Sequence, residues 1–208
     1  MTLESSKNLG GVGALLIVIS FLGLFANGLS AVLALVGVIL VLIGMKGLSD
    51  HYKEGGIFNN ALYGLILAIV GVVAFVAMIV ATVVEFVGAN LANFAQWPAI
   101  FQQKFMDLNN VWAFLGGIFA SLVVLFIFIV VSVIFFRKSL NVLSDKSGVK
   151  IFGTAGLLML IGAILTIIAI GVILIWVGWI LVIVGFFSIR TTTETQPATT
   201  SSQQTGQP

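Results

Sequence analysis

Arg137-Lys138-Ser139-Leu140-Asn141-Val142-Leu143-Ser144-Asp145-Lys146-Ser147-Gly148-Val149-Lys150 is the densest run of charge in the chain, and it separates two long apolar blocks. A shorter counterpart, Lys46-Gly47-Leu48-Ser49-Asp50-His51-Tyr52-Lys53-Glu54, separates two others. Charge gathered this way between oily runs reads as a pair of connectors at a membrane surface.

The rest of the composition agrees. Of 208 residues, 60% are hydrophobic and 8% charged, with a mean hydropathy of +1.23. Soluble domains run near 45–50% apolar and about 25% charged. Lipid offers the backbone no hydrogen-bond partners, so a spanning segment must be a helix or part of a closed barrel. The apolar runs lack the alternation a barrel needs. The expected fold is therefore an all-α integral membrane protein. The net charge is +2, but the basic residues stand at the ends of apolar runs as topology and headgroup anchors, which argues against nucleic-acid binding. Without cysteine there is no disulfide, thiol nucleophile or thiolate metal site. The N-terminus enters its apolar run with no small-residue cleavage site, which favours a retained first span over a signal peptide.

Leu9 to Met45 is 37 residues without formal charge, about 55 Å as one helix against a hydrocarbon core of about 30 Å. It must double back, and Ala26-Asn27-Gly28-Leu29-Ser30 is the turn. Ile151 to Ile189 is 39 uncharged residues and doubles back near Ala169-Ile170-Gly171 for the same reason. The predicted spans are about 10–25, 31–45, 57–84, 111–136, 151–168 and 172–189. Residues 1–9 precede this 10–190 membrane domain, and 191–208 form a polar tail with nothing to bury, expected to be disordered. Between the third and fourth spans, Leu91, Phe94, Trp97, Phe101, Phe105 and Leu108 recur three or four residues apart among Asn and Gln. That spacing predicts an outer interfacial amphipathic helix interrupted by Pro98, with Trp112 as an anchor.

Six spans put Lys7, Lys46, Lys53, Arg137, Lys138, Lys146, Lys150 and Arg190 on one side and Lys104 alone on the other. This bias predicts cytoplasmic termini and connectors.

The connectors also expose a repeat. Leu48-Ser49-Asp50 ahead of Ile57-Phe58 matches Leu143-Ser144-Asp145 ahead of Ile151-Phe152 with one residue of slippage, and Ala61 falls opposite Ala155. The simplest organisation is three helical hairpins entering from the same side. Small residues form stripes: Ala61, Gly64, Ala68, Gly71, Ala74, Ala77 and Ala81 in the third span, Gly171, Gly178 and Gly185 in the sixth, Ala34, Gly37 and Gly44 in the second. Such stripes let helices approach closely, first inside the bundle and alternatively at a homo-oligomer seam.

Chemistry is thin. No ionisable residue falls at mid-depth; Glu85 is nearest, at the outer end of the third span. Ser121, Ser132 and Thr166 are expected to return their hydroxyls to a carbonyl one turn back. His51, the only histidine, sits in a charged connector, where a solvated side chain is the ordinary outcome. No nucleophile elbow, phosphate loop or His-Glu-x-x-His pattern occurs. No catalytic, cofactor-binding or metal-binding residue is assigned, and no cofactor. Each Leu-Ser-Asp is expected to end one helix and cap the next by accepting free amide hydrogens.

The connector residues 41–53 and the helix starts Ile57-Phe58-Asn59-Asn60-Ala61-Leu62-Tyr63-Gly64 and Val149-Lys150-Ile151-Phe152-Gly153-Thr154-Ala155-Gly156 resemble those of a family of multi-pass membrane proteins, mostly archaeal, classified only as a domain of unknown function. The resemblance implies an archaeal plasma membrane and carries no activity. The expected function is a non-enzymatic structural or scaffolding component whose partner is the lipid bilayer. The alternative is a small channel or permease for neutral or apolar solutes, lined by Asn59, Asn60, Tyr63, Ser121 and Ser132.

Overall fold

The computed structural model describes residues 1–23, 29–88, 93–168 and 170–190. The first predicted turn lies largely outside these residues, at 26–28, as do Ala169 of the second, Leu91 and the tail 191–208; Ile170 and Gly171 of the second already belong to the helix that follows. Every described element is helical: α1 Leu3–Leu22, α2 Leu29–His51, α3 Gly55–Val87, a short 3-10 turn Phe94–Gln96, α4 Trp97–Lys104, α5 Leu108–Ser147, α6 Ile151–Leu165 with a 3-10 extension Thr166–Ile168, and α7 Ile170–Ser188. Six of these helices, all but α4, are long and apolar enough to cross a membrane.

The charged connectors are mostly helix. The second predicted span stops at Met45, yet α2 runs on to His51; the fourth stops at Phe136, yet α5 runs on to Ser147. Charge ends an apolar run without ending a helix, because Lys, Arg, Leu and Ser tolerate helical backbone and the end awaits a residue that leaves it. That residue is Lys53 in the first junction, with φ of 51°, and Gly148 in the second, with φ of 73°. At the N-terminus α1 begins at Leu3, well before the predicted Gly10, because Thr2 caps it by accepting from Ser5 N.

Antiparallel neighbours α1 and α2, α3 and α5, and α6 and α7 make the most extensive contacts. Consecutive pairs then touch through α2 with α3 and α5 with α6, and α7 closes back on α1. The pairs meet through small residues. A methyl group on Gly13 would lie 2.6 Å from Gly37 O, and one on Gly44 would lie 2.6 Å from Gly10 N. Backbone therefore touches backbone, where close contact holds helices together without a hydrophobic driving force.

The junctions match each other in detail, at a constant offset of 95 residues. Ser49 Oγ donates to Glu54 O at 2.9 Å and Ser144 Oγ donates to Val149 O at 3.1 Å. The same two carbonyls accept from Ile57 N and Phe152 N, each at 3.3 Å. The left-handed residues 53 and 148 are 95 apart, and so are the fully buried Met45 and Leu140, Leu48 and Leu143, and Ile57 and Phe152. Two expectations are corrected by this. The one-residue slip disappears, since Ile57 corresponds to Phe152 and not to Ile151. The serine hydroxyls donate to carbonyls beyond the turn and do not accept amide hydrogens.

Helix α7 and the residue just after it carry the same pattern 141 residues after α2: Gly37, Val41, Gly44, Met45 and Leu48 correspond to Gly178, Val182, Gly185, Phe186 and Ile189, all buried. In α5 the two glycines become Ser132 and Ser139. Ser132 Oγ donates to Gly64 O at 2.7 Å and Ser139 Oγ donates to Ile57 O, both across to α3. The expectation that Ser132 bonds one turn back fails, because its hydroxyl reaches across to Gly64 O on the neighbouring helix. Ser121 and Thr166 do bond within their own helices, to Ile118 O and Gly162 O.

Measured from Gly13, which meets Gly37, and from Met159, which meets Gly178, α1 and the α6 extension each end nine residues on. Helix α3 ends 23 past Gly64, about 20 Å further out. There Phe86 is buried beneath α4 and α5, with ring centroids 4.6 Å from Phe114, 5.1 Å from Phe101 and 5.3 Å from Phe105. Within the stretch read as one interrupted amphipathic helix, Pro98 falls in the first turn of α4, where its missing N–H costs nothing. It starts the helix rather than interrupting it.

Candidate functional site: the central cavity and the junction end

Between α2, α3, α5, α6 and α7 lies a cavity of about 210 Å³, bounded by Leu42, Ala61, Leu65, Phe136, Met159 and Trp179 among others. Its one hydroxyl is that of Ser132, already committed to Gly64 O. A void of this character holds apolar atoms or stays dry, because a water molecule needs two to four polar partners. It forms because Gly64 and Ala61 leave room that Phe136 and Trp179, with ring centroids 5.4 Å apart, only partly fill.

The residues expected to line a solute path are not brought together. Only Ser132 reaches the cavity. Ser121 is buried three turns further out, bonded to Ile118 O. Asn59 and Tyr63 are exposed on the bundle surface, where Tyr63 packs edge-on against Phe135, and Asn60 donates to Gly56 O within its own helix.

Among the described residues all seven buried polar ones are serines, and each donates to a backbone carbonyl. Buried hydroxyls cost little when so paired. They tie backbone to backbone, and none of these seven hydroxyls is left free.

Polar chemistry gathers at the junction end. Lys46 Nζ lies 2.7 Å from Asp50 within α2, and Lys146 Nζ lies 3.2 Å from Glu54 Oε2, joining one junction to the other. The Lys146 hydrogen bond holds the Glu54 carboxyl below its usual range, helped by the Gly56 N–H and the Lys146 charge. Burial pushes the Tyr52 phenol up, so it stays neutral. His51 is exposed beside Tyr52, and among the described residues no three His, Asp or Glu side chains gather. Two contacts that periodicity gives no sign of close α7 onto α1: Lys7 Nζ donates to Ile189 O at 3.2 Å, and Trp176 Nε1 donates to Val18 O at 3.3 Å. A lysine seven residues from the start gives no hint that it caps a helix 182 residues away.

At the outer end Glu85, Thr82, Lys104 and Asn110 surround a second, polar cavity of about 160 Å³, over which Lys104 sits 5.6 Å from the Phe86 ring.

A family described as a protein of unknown function (DUF996) matches residues 33–196. The uncharacterized protein MJ1644 of Methanocaldococcus jannaschii is 29% identical over 189 residues, which cover 91% of this chain and 94% of that protein. No solved structure matches.

Proposed function

We propose, for a chain that belongs to the DUF996 family of proteins of unknown function, an integral membrane protein of three helical hairpins acting as a non-enzymatic structural or scaffolding component. The observation that carries this reading is the interior: backbone packed on glycine or serine, buried hydroxyls all committed, and a cavity lined by apolar side chains. The large apolar side chains left exposed along α3 and α5, such as Val73, Val76, Phe119 and Ile127, support insertion, since soluble surfaces rarely carry so continuous an apolar face. The lysine and arginine bias supports junctions and termini in the cytoplasm of a plasma-membrane protein. Because cysteine is absent, single cysteines at Ser5, Asp145 and Gln103 test this directly. In intact cells an impermeant maleimide should label position 103 alone; labelling at 5 or 145 would reverse the orientation.

A homo-oligomer seam on α3 must use Ala77 and Ala81, which remain exposed. Gly64 and Gly71 already face Ser132 and Phe128 within the chain.

The cavity favours the second reading, a permease for small apolar solutes, over any path for polar ones. Reconstituted vesicles decide between the two roles. Scaffolding predicts flux at the empty-vesicle rate across a panel of neutral and apolar solutes, together with protein partners recovered from native membranes. Protein-dependent flux of any solute would replace scaffolding with transport.

A further inference from the structure

Arg137 is a partly buried basic residue that the packing does not explain. It stands on α5 one turn inward from Asn141, and its stem lies against α6, where a methyl group on Gly156 would meet Arg137 Cγ at 3.0 Å and Cα at 3.2 Å. The side chain is partly buried. Its Nε is enclosed with no hydrogen-bond partner, and no carboxylate pairs with it, since the ion pairs among the described residues are Lys46–Asp50 and Lys146–Glu54. A guanidinium cannot shed its proton to relieve this, and a buried donor left unmade is costly enough to call for an explanation.

Nε stays sealed whatever binds, but the uncompensated charge can find a partner at the terminal nitrogens. With Nε closed against the helix and no protein acceptor at the terminal nitrogens, the guanidinium presents its outer edge, the two-pronged donor that matches phosphate oxygens. Asn141 follows on the same face: a methyl group on Gly153 would lie 3.6 Å from its Oδ1. The glycines at 153 and 156 thus keep α6 flat beneath a strip of α5 bearing an arginine and a carboxamide. The exposed Lys150 opens α6 beside it.

We propose that this groove between α5 and α6 binds one phosphate group through Arg137 and Asn141. The strip begins at Arg137, the first charge after the apolar run 111–136 and nine residues, about 13 Å, inward of Lys146 along α5, where the phosphate of a membrane lipid sits if the membrane surface lies at the end of that run; assignment to lipid rests on that reading. Basic pockets between helices at this depth are suited to anionic headgroups. A free phosphate or phosphorylated solute shares the chemistry.

The test uses the full chain in neutral detergent, stripped of lipid, with thermal unfolding followed on adding phosphatidylglycerol, phosphatidylcholine or inorganic phosphate. Wild type should gain stability with phosphatidylglycerol and little with phosphatidylcholine. Arg137→Met should unfold no earlier than wild type without lipid, because it removes an unpaired buried donor, yet need at least about tenfold more phosphatidylglycerol for the same gain. Arg137→Lys, which keeps stem and charge but loses the fork, should fall several-fold short and serves should the Met variant not fold. Lys150→Gln should lose less than Arg137→Met. An equal loss would mean diffuse surface attraction and overturn the site, as would an Arg137→Met or Arg137→Lys variant that responds like wild type. A rise with inorganic phosphate that disappears in Arg137→Met upholds the site and moves its ligand to the soluble phase. No response of wild type to either phosphate source overturns the proposal. Because the phosphate arm needs no bilayer, failure of the membrane reading, seen as release of the protein from native membranes at alkaline pH, remains distinguishable.

Discussion

The two ends of this bundle are built on opposite plans. At the junction end, three helix pairs present the same buried positions, the two junctions share the same hydrogen bonds, and Met45, Leu48, Ile57, Leu140, Leu143, Phe152 and Phe186 are all sealed from solvent. At the outer end only α3 and α5 continue, and what they bury is an aromatic cluster around Phe86 covered by the eight-residue α4. Repetition makes a cooperative core, because every pair leans on the next and α7 returns to α1. The outer extension leans only on itself. Stability should therefore be concentrated at one end, with the other opening locally, as elements with few neighbours do.

Matched truncations would break that contrast. Phe152→Ala removes a fully buried ring that packs edge-on against Phe186, with centroids 5.3 Å apart, and over Gly185. It should cost about 3–5 kcal/mol of global stability, read as a large fall in the midpoint of thermal unfolding. Phe86→Ala removes a ring almost as well buried, but the loss should stay local: cleavage by trypsin after Lys104 accelerates while the global midpoint moves far less. Equal midpoint shifts would show that both ends unfold as one unit.

Much of the junction end is legible in the amino-acid order, because a charge-free run of 37 or 39 residues cannot be one span, and Leu-Ser-Asp occurs twice. The register was not. Matching Ile57 with Ile151 follows residue identity, whereas the buried face pairs isoleucine with the phenylalanine one position later. The positions that define the register, 53 and 148, hold a lysine and a glycine, and nothing in that pairing announces a shared left-handed backbone. The bonds of Ser132 and Ser139 across to α3 were equally hidden, since a serine in an apolar helix reads the same whether it bonds its own turn or its neighbour's. At the outer end the aromatic periodicity was legible, but not that Pro98 begins α4, because a proline in the first turn and one inside a helix differ only by where the helix starts.

The shared left-handed position gives a smaller and signed test of the equivalence between junctions. A side chain in this conformation costs about 1–2 kcal/mol relative to glycine, partly offset by the extra freedom glycine brings to the unfolded chain. Lys53→Gly should therefore stabilise by up to about 1 kcal/mol, and Gly148→Lys should destabilise by about 1 kcal/mol. Opposite shifts in the unfolding midpoint of the two variants would support one backbone design used twice. Shifts of the same sign would mean that the junctions differ in what they demand of this residue.

The smallest effect concerns the one ion pair between the junctions. Glu54 is held below the ordinary carboxylate range first by its hydrogen bond from Lys146, then by the Gly56 N–H and the Lys146 charge. A carboxyl whose folded-state pKa is depressed stabilises the fold above its unfolded pKa of about 4.3, and that contribution drains away as pH falls through the lower folded value. Wild type should thus unfold slightly later than Glu54→Gln at pH 7, with the gap closing on acidification below the carboxylate range. The pair is solvent-accessible, so high salt at pH 7 should narrow the same gap. Lys146→Gln should reproduce the Glu54→Gln midpoint at neutral pH if the pair acts as a unit. A gap insensitive to both acid and salt would place the effect of Glu54 in its backbone contacts. The two junctions would then be matched in structure but held together only through the packing of α3 on α5.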